Sequence, residues 1–322
     1  MTQPGTWWRR VRGATAVAAA LASVFALAGC GSDDQPSSAP APSPAATAPG
    51  LARYDLVVLA SAENNPLFSD LYGITLNPLQ AYRITTDKRI SSMDVDTEQI
   101  VVAAADGPTD RLALVTGTGE LRPIPGLGRP FAYNPSLLAD GTILFEDFTE
   151  SSREKVNRYR IWDPTRKKKA TLFTSTQPLY GLHPGPKGSV ALLLNNPTTN
   201  DAIVIRDAAG TQRTYPIAGD GGFITWGRTF VTTTLNEPDS QFGSKPKGLV
   251  LIDPVTGKRT EVAGWQPIAW TVDGTKLLVR GTDDLANSVL AVLDPSDVQS
   301  PQSIGTLENL AIYTGSWIRG NA

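Results

Sequence analysis

The chain has 322 residues, 29 basic and 31 acidic side chains, a net charge of −2, one cysteine and one histidine. An acidic balance excludes the basic footprint of a nucleic-acid binder. A single thiol excludes a disulfide framework or a cysteine-rich zinc site.

The chain opens as a secretory signal peptide. Arg9, Arg10 and Arg12 form a basic start, Ala14 to Ala28 an apolar stretch, and small residues precede Cys30. The apolar stretch holds 15 residues, and a membrane span needs about 20. Leu27-Ala28-Gly29-Cys30 resembles the bacterial lipobox. That resemblance implies cleavage before Cys30, a diacylglycerol on its sulfur and acylation of the new N-terminus. Two or more acyl chains give stable anchoring where one gives only marginal affinity. The other reading of Cys30 is an ordinary buried thiol, but nothing foldable follows it. Arg9-Arg10 raises twin-arginine export, although the flanking Trp-Trp and Val-Arg-Gly fit that motif poorly. Cleavage would remove three arginines and no acid, leaving 26 basic against 31 acidic side chains, a net of −5.

Residues 31–50, GSDDQPSSAPAPSPAATAPG, contain five prolines and no large apolar side chain. Such a segment cannot bury enough surface to order itself. It reads as a tether, reaching roughly 60 Å if extended at about 3.1 Å per residue. The expected organisation is a signal peptide over 1–29, lipidated Cys30 with its tether over 30–50, and one folded domain over 51–322.

Within that domain one template recurs: an apolar strand, a turn, a second strand. "LVLIDPVTGKRTEV" from Leu249 and "RYRIWDPTRKKKATLF" from Arg158 show it clearly. The turn residues are Asn77, Thr116, Asp163, Asp207, Asp253 and Asp294, spaced 39 to 47 residues apart. Asp or Asn opens such turns because its side chain accepts from backbone amides two residues on. Before each turn lies another strand pair, clearest in "PIAWTVDGTKLLVRG" from Pro267. Four strands (a to d) in about 45 residues are the mark of a propeller blade. The first copy lacks an a-strand, and "NLAIYTGSW" from Asn309 is a surplus a-strand at the other end. Pairing Ala311–Trp317 beside Tyr54–Ser61, with Ile312 and Tyr313 alongside Leu56 to Leu59, would close the ring and hide a sheet edge. The expectation is an all-β, six-bladed β-propeller with four antiparallel strands per blade. The rival is a two-sheet sandwich.

The turn around Trp270–Leu278 is similar to the repeat of TolB-type six-bladed propellers, with the other tryptophan positions filled by Met93, Leu137 and Pro184. The resemblance covers most of residues 54–317 and implies a scaffold for protein partners in the cell envelope, with no chemistry. Asp253 to Lys258 also looks like a quinoprotein repeat. It occurs once, so no cofactor is expected.

Candidate chemistry is sparse. His183, in "YGLHPGPKG", has no G-x-S-x-G elbow to serve and reads as a residue at the start of an inner strand or in its loop. Asp283-Asp284 and "DVDTE" (94–98) lack calcium-loop spacing and read as solvated turns. The run Arg158 to Lys169 could touch anionic lipid or wall polymer, but lysines also keep a hairpin tip soluble. In propellers resembling this one, binding concentrates on the b–c and d–a loops. The long b–c loops here are 61–70, 147–157 and 236–248. Phe68, Tyr180 and Phe242 are the candidate binding face, with packing back onto their own blades as the alternative. No catalytic or metal residue is expected. The function expected is a monomeric, lipid-anchored, non-catalytic scaffold for an envelope protein or cell-wall polymer. The alternative is a carbohydrate-binding, hydrolytic or lyase propeller using carboxylates at its central channel.

Overall fold

The computed structural model describes residues 50–62, 69–96, 99–106, 109–147, 156–195, 200–237, 245–282 and 287–318. After a short 3-10 turn over Leu51–Arg53, the described residues form 24 strands in six four-stranded antiparallel sheets. Blade 1 takes β1 (Leu56–Ala62), β2 (Asp70–Leu76) and β3 (Leu79–Arg83). Blade 2 is β4 (Ile90–Val95), β5 (Ile100–Asp106), β6 (Thr109–Val115) and β7 (Leu121–Arg122). Blade 3 is β8 (Ala132–Leu137), β9 (Ile143–Asp147), β10 (Asn157–Asp163) and β11 (Lys168–Ser175). Blade 4 is β12 (Leu179–Pro184), β13 (Val190–Leu194), β14 (Ala202–Arg206) and β15 (Gln212–Pro216). Blade 5 is β16 (Asp220–Trp226), β17 (Val231–Glu237), β18 (Lys245–Ile252) and β19 (Arg259–Ala263). Blade 6 is β20 (Gln266–Trp270), β21 (Leu277–Thr282), β22 (Ser288–Asp294) and β23 (Asp297–Leu307). The last strand, β24 (Leu310–Trp317), returns to blade 1 as its inner strand.

The b-strands read as continuous apolar runs because a blade is buried on both faces. Side chains alternate along a strand. On β1, Leu56, Val58 and Ala60 therefore pack towards blade 6, beside Leu278 and Leu290. Val57 and Leu59 pack towards blade 2, beside Ile100 and Val102. The same alternation leaves an apolar cluster between every pair of neighbouring blades.

The six c–d turns fall at the positions that the repeat marks. Their aspartates work as the turn chemistry requires: Asp253 Oδ1 accepts from Val255 N at 2.8 Å, and Asp294 Oδ1 from Ser296 N at 2.8 Å.

The ring closes through β24 on β1, but not in the expected register. Thr314 to Trp317 face Leu59 to Leu56, while Ile312 faces Ala60. Tyr313 is the extra residue of a β-bulge, so it and Ile312 do not lie alongside Leu56 to Leu59. A bulge inserts an unpaired residue without altering the apolar pattern that guides a reading of the sequence. A second correction concerns blade 2: Val95, not Met93, is the residue in register with Trp270, since Val95 faces Ile100 as Trp270 faces Leu277. No helix among the described residues is long and apolar enough to cross a membrane.

Candidate functional site: the central channel

Six inner strands, β4, β8, β12, β16, β20 and β24, surround a central cavity of about 810 Å³ that reaches to the a–b turns. Each inner strand is irregular. The ladder slips between Ile90 and Ser92, Tyr133 and Ser136, Tyr180 and His183, Gly221 and Ile224, Pro267 and Ala269, and at Tyr313. A slipped ladder leaves backbone amides without a strand partner, and a buried amide needs another acceptor.

Side chains of the preceding blade supply several of these acceptors. Ser92 Oγ accepts from Asn134 N at 3.1 Å, and Asp94 Oδ2 accepts from Leu137 N at 2.8 Å, joining blade 2 to blade 3. Glu146 Oε1 accepts from Leu182 N at 3.0 Å and from Asn134 Nδ2 at 2.9 Å, joining blade 3 to blade 4. Asp201 Oδ2 accepts from Gly221 N at 2.9 Å, joining blade 4 to blade 5. Ser288 Oγ donates to Leu310 O at 2.5 Å and accepts from Ile312 N at 3.3 Å, joining blade 6 to the closing strand.

The electrostatics follow from these contacts. Burial pushes the Glu146 carboxyl up, opposed by the amides of Leu182, Asn134 and Gly181. Burial likewise raises Asp110, with a hydrogen bond to Ser91 opposing it. At the channel's a–b end the exposed Asp273 is held down at about 2 by the Thr271 hydroxyl and by the amide and hydroxyl of Thr275.

His183 lies near the end of the inner strand β12 rather than at its start. Its Nδ1 is 2.9 Å from Pro184 O, so Nδ1 carries the proton, and Nε2 faces the Thr225 hydroxyl of the next blade at 3.4 Å. Tyr180 lines the cavity. Its hydroxyl points away from solvent, 3.1 Å from both Asp201 Oδ2 and Gly221 O. Burial first, and the Asp201 charge second, push that phenol up.

Phe68 and Phe242 lie outside the described residues, as do Cys30, Asp283 and Asp284. Of "DVDTE", Asp94 makes the bond to Leu137, and Asp96 Oδ1 accepts from Gln99 N at 2.8 Å in the a–b turn of blade 2. Among the described residues no three His, Cys, Asp or Glu side chains gather as metal ligands would. In the basic run, Arg160 and Lys169 approach Asp147 at 3.1 and 3.5 Å.

Sequence reasoning missed Trp226 and Trp317, which close their inner strands as Trp270 does. Aligning "GGFITWGRTF" with "PIAWTVDGTK" on the tryptophan would have found the first. It also missed Glu146, Asp201 and Ser288, whose partners lie in the next blade.

No family model matches the sequence, and no curated protein matches it either. Among solved structures, TolB from Acinetobacter baumannii superposes with a TM-score of 0.61 at 12% identity. The match covers 81% of this chain and 66% of that protein. A putative TolB from Agrobacterium tumefaciens gives 0.51 at 9% identity, over 82% of this chain and 98% of that one. A gluconolactonase from Xanthomonas campestris aligns at 0.49 and 11% identity, over 71% and 84% of the two chains, a likeness too loose to carry an argument. The shared feature is the fold: this chain is a six-bladed β-propeller, similar in architecture to those TolB structures.

Proposed function

We propose that this chain is a non-catalytic, protein-binding scaffold, held at the extracytoplasmic face of the cell membrane by lipid on Cys30. The observation that supports the first half is the use made of three carboxylates at the joints between blades. Asp94, Glu146 and Asp201 each accept backbone amides of the next blade. A general acid or base must be free to exchange its proton with a substrate. Carboxylates tied into the joints between blades serve rigidity instead, and a rigid ring is a good platform for binding loops. The support for the second half is the ordering of basic start, apolar stretch, Leu-Ala-Gly-Cys and proline-rich tether.

Photo-crosslinking in intact cells, with the probe placed at Tyr313 in the channel and at Val255 on an outer turn, tests the scaffold reading. A discrete protein adduct from one site and not the other is expected. Adducts equal at both sites, or none, would sink it. For the anchor, Cys30→Ser should move a folded domain from the membrane to the soluble fraction. Retention of the variant on membranes contradicts lipidation.

A second reading, ligand binding in the channel, draws on the cavity itself, whose volume of about 810 Å³ falls in the range typical of small-molecule sites.

A further inference from the structure

The c–d turns do not carry charge alike. Over the seven residues that start at each turn residue, blade 3 (163–169) sets four basic side chains against one acid, a net of +3. Blade 6 (294–300) has two acids and no base, a net of −2. The same windows in blades 1, 2, 4 and 5 carry between 0 and +1. The order of the apolar clusters sets blade 3 opposite blade 6 across the ring. Solubility would ask for charge at every tip. Here one rim of the c–d face is positive and the opposite rim negative. The positive tip is held well out into solvent, with residues 164 to 172 all exposed. Asp163 Oδ1 accepts from Arg166 N at 2.9 Å and fixes the turn. Lys167 takes a left-handed φ of 49°, and its Cβ and the ring of Trp162 lie beside Gly126. Acids offset part of the charge: Asp163 is 3.6 Å from Arg166, and Asp147 is 3.5 Å from Lys169.

The chain enters the ring on this same face. Leu56 pairs with Ile74 just before the c–d turn of blade 1, and Leu76 N donates to Asp55 Oδ2 at 2.7 Å. Residues 31–50 precede that point, with a reach of roughly 60 Å if extended at about 3.1 Å per residue. We propose that the 163–169 hairpin tip of blade 3 docks on anionic lipid headgroups, turning the c–d face towards the membrane and the b–c and d–a loops away from it. The proposal rests on the lipid-anchor reading, because an acyl chain on Cys30 keeps the hairpin close enough for a weak attraction to act. Clustered lysines and arginines are drawn to such a surface, and the pull fades within a Debye length. The negative rim on blade 6 is repelled by the same surface, so the two rims together set the tilt of the ring.

The test uses the lipidated chain, purified from membranes and reconstituted in vesicles of phosphatidylcholine with or without phosphatidylglycerol. Cys30 is the only cysteine and is acylated on this reading, so an introduced thiol takes a fluorophore alone. Thr165→Cys labels the blade 3 tip and Ser296→Cys the blade 6 turn, and nitroxide-labelled headgroups quench the fluorophore on contact. Quenching at 165 should rise at least about twofold when phosphatidylglycerol is present. It should return to the phosphatidylcholine level in high salt and in the triple variant Arg166→Gln, Lys167→Gln, Lys168→Gln. The label at 296 should not respond. Lys168→Gln alone should give part of the loss and serves should the triple variant not fold. An equal response at both labels, or none at 165, overturns the docking. A 165 label indifferent to lipid but shielded by added anionic wall polymer assigns the tip to that polymer and overturns it too. Should Cys30 prove unacylated, the anchor reading fails, and co-sedimentation of the same chain with the two kinds of vesicle decides the docking. Sedimentation that needs phosphatidylglycerol and is lost in the triple variant keeps it, and sedimentation that the variant matches overturns it.

Discussion

The indole of Trp226 occupies the space that a Cβ on Gly185 would need: such an atom would stand 2.2 Å from the ring's Cε3. Trp270 covers Gly227 in the same way, at 2.4 Å from Cδ2. Each tryptophan closes an inner strand and lies flat on the a–b turn of the preceding blade. The glycine is required for room and not for an unusual dihedral, since Gly185 has φ −127°.

Gly185→Ala should therefore destabilise the ring by about 1–3 kcal/mol, the usual cost of overpacking. Urea denaturation measures it. In a Trp226→Leu background the same change should cost markedly less, because contacting residues are non-additive. Equal costs in both backgrounds would refute the contact.

Truncation after residue 308 removes β24 and leaves β1 as an open edge. Leu310 and Ile312 also leave the apolar cluster they share with Leu56, Leu278 and Leu290. Losing several kcal/mol should lower Tm by at least about 10 °C at roughly 2–4 °C per kcal/mol, and should promote aggregation. Scanning calorimetry with light scattering reads both. An unaltered transition is incompatible with closure by this strand.

Glu146 gives a pH dependence of defined sign. Its carboxyl is raised above the ordinary 4.5 by burial, so the folded state favours the protonated form. The stability it contributes is fully present below pH 4.5 and is lost as pH rises through the raised value. Glu146→Gln carries no such term. The Tm of the variant minus that of the parent should accordingly climb as pH rises from 4.5 towards neutrality and then level off. A flat difference would show that the carboxyl titrates normally.

Tyr180→Phe removes a hydroxyl that sits 3.1 Å from Asp201 Oδ2. Asp201 keeps the Gly221 amide, so the loss should be only about 1 kcal/mol. A chemical-denaturation midpoint checks it. A much larger loss would mean that the Asp201 joint depends on the phenol.

The architecture was legible because two signals with a physical basis repeat: turn aspartates at near-constant spacing, and b-strands apolar without interruption. The end-to-end closure was legible too, since a missing inner strand and a surplus one are both visible as patterns. Register was not. Tyr313 looks like any other strand residue, and whether it pairs or bulges is decided by backbone geometry against β1. The joints were equally hidden. Glu146 and Asp201 read as ordinary polar residues near strand ends, and only the folded ring shows that their acceptor oxygens meet amides 20 to 36 residues further on. Of the expected binding face, Tyr180 is placed on the channel wall with its hydroxyl engaged.

The amide of Ile318 donates to the carbonyl of Asp55 at 3.1 Å, so the chain leaves the ring beside the point where it enters. A short linker across that gap would make the polypeptide endless. New termini opened in a c–d hairpin, such as 254–257, would give a circular permutant with every sheet intact. In that molecule the seam between blades 6 and 1 would be held covalently, and the weakest joint would move to wherever the cut was made.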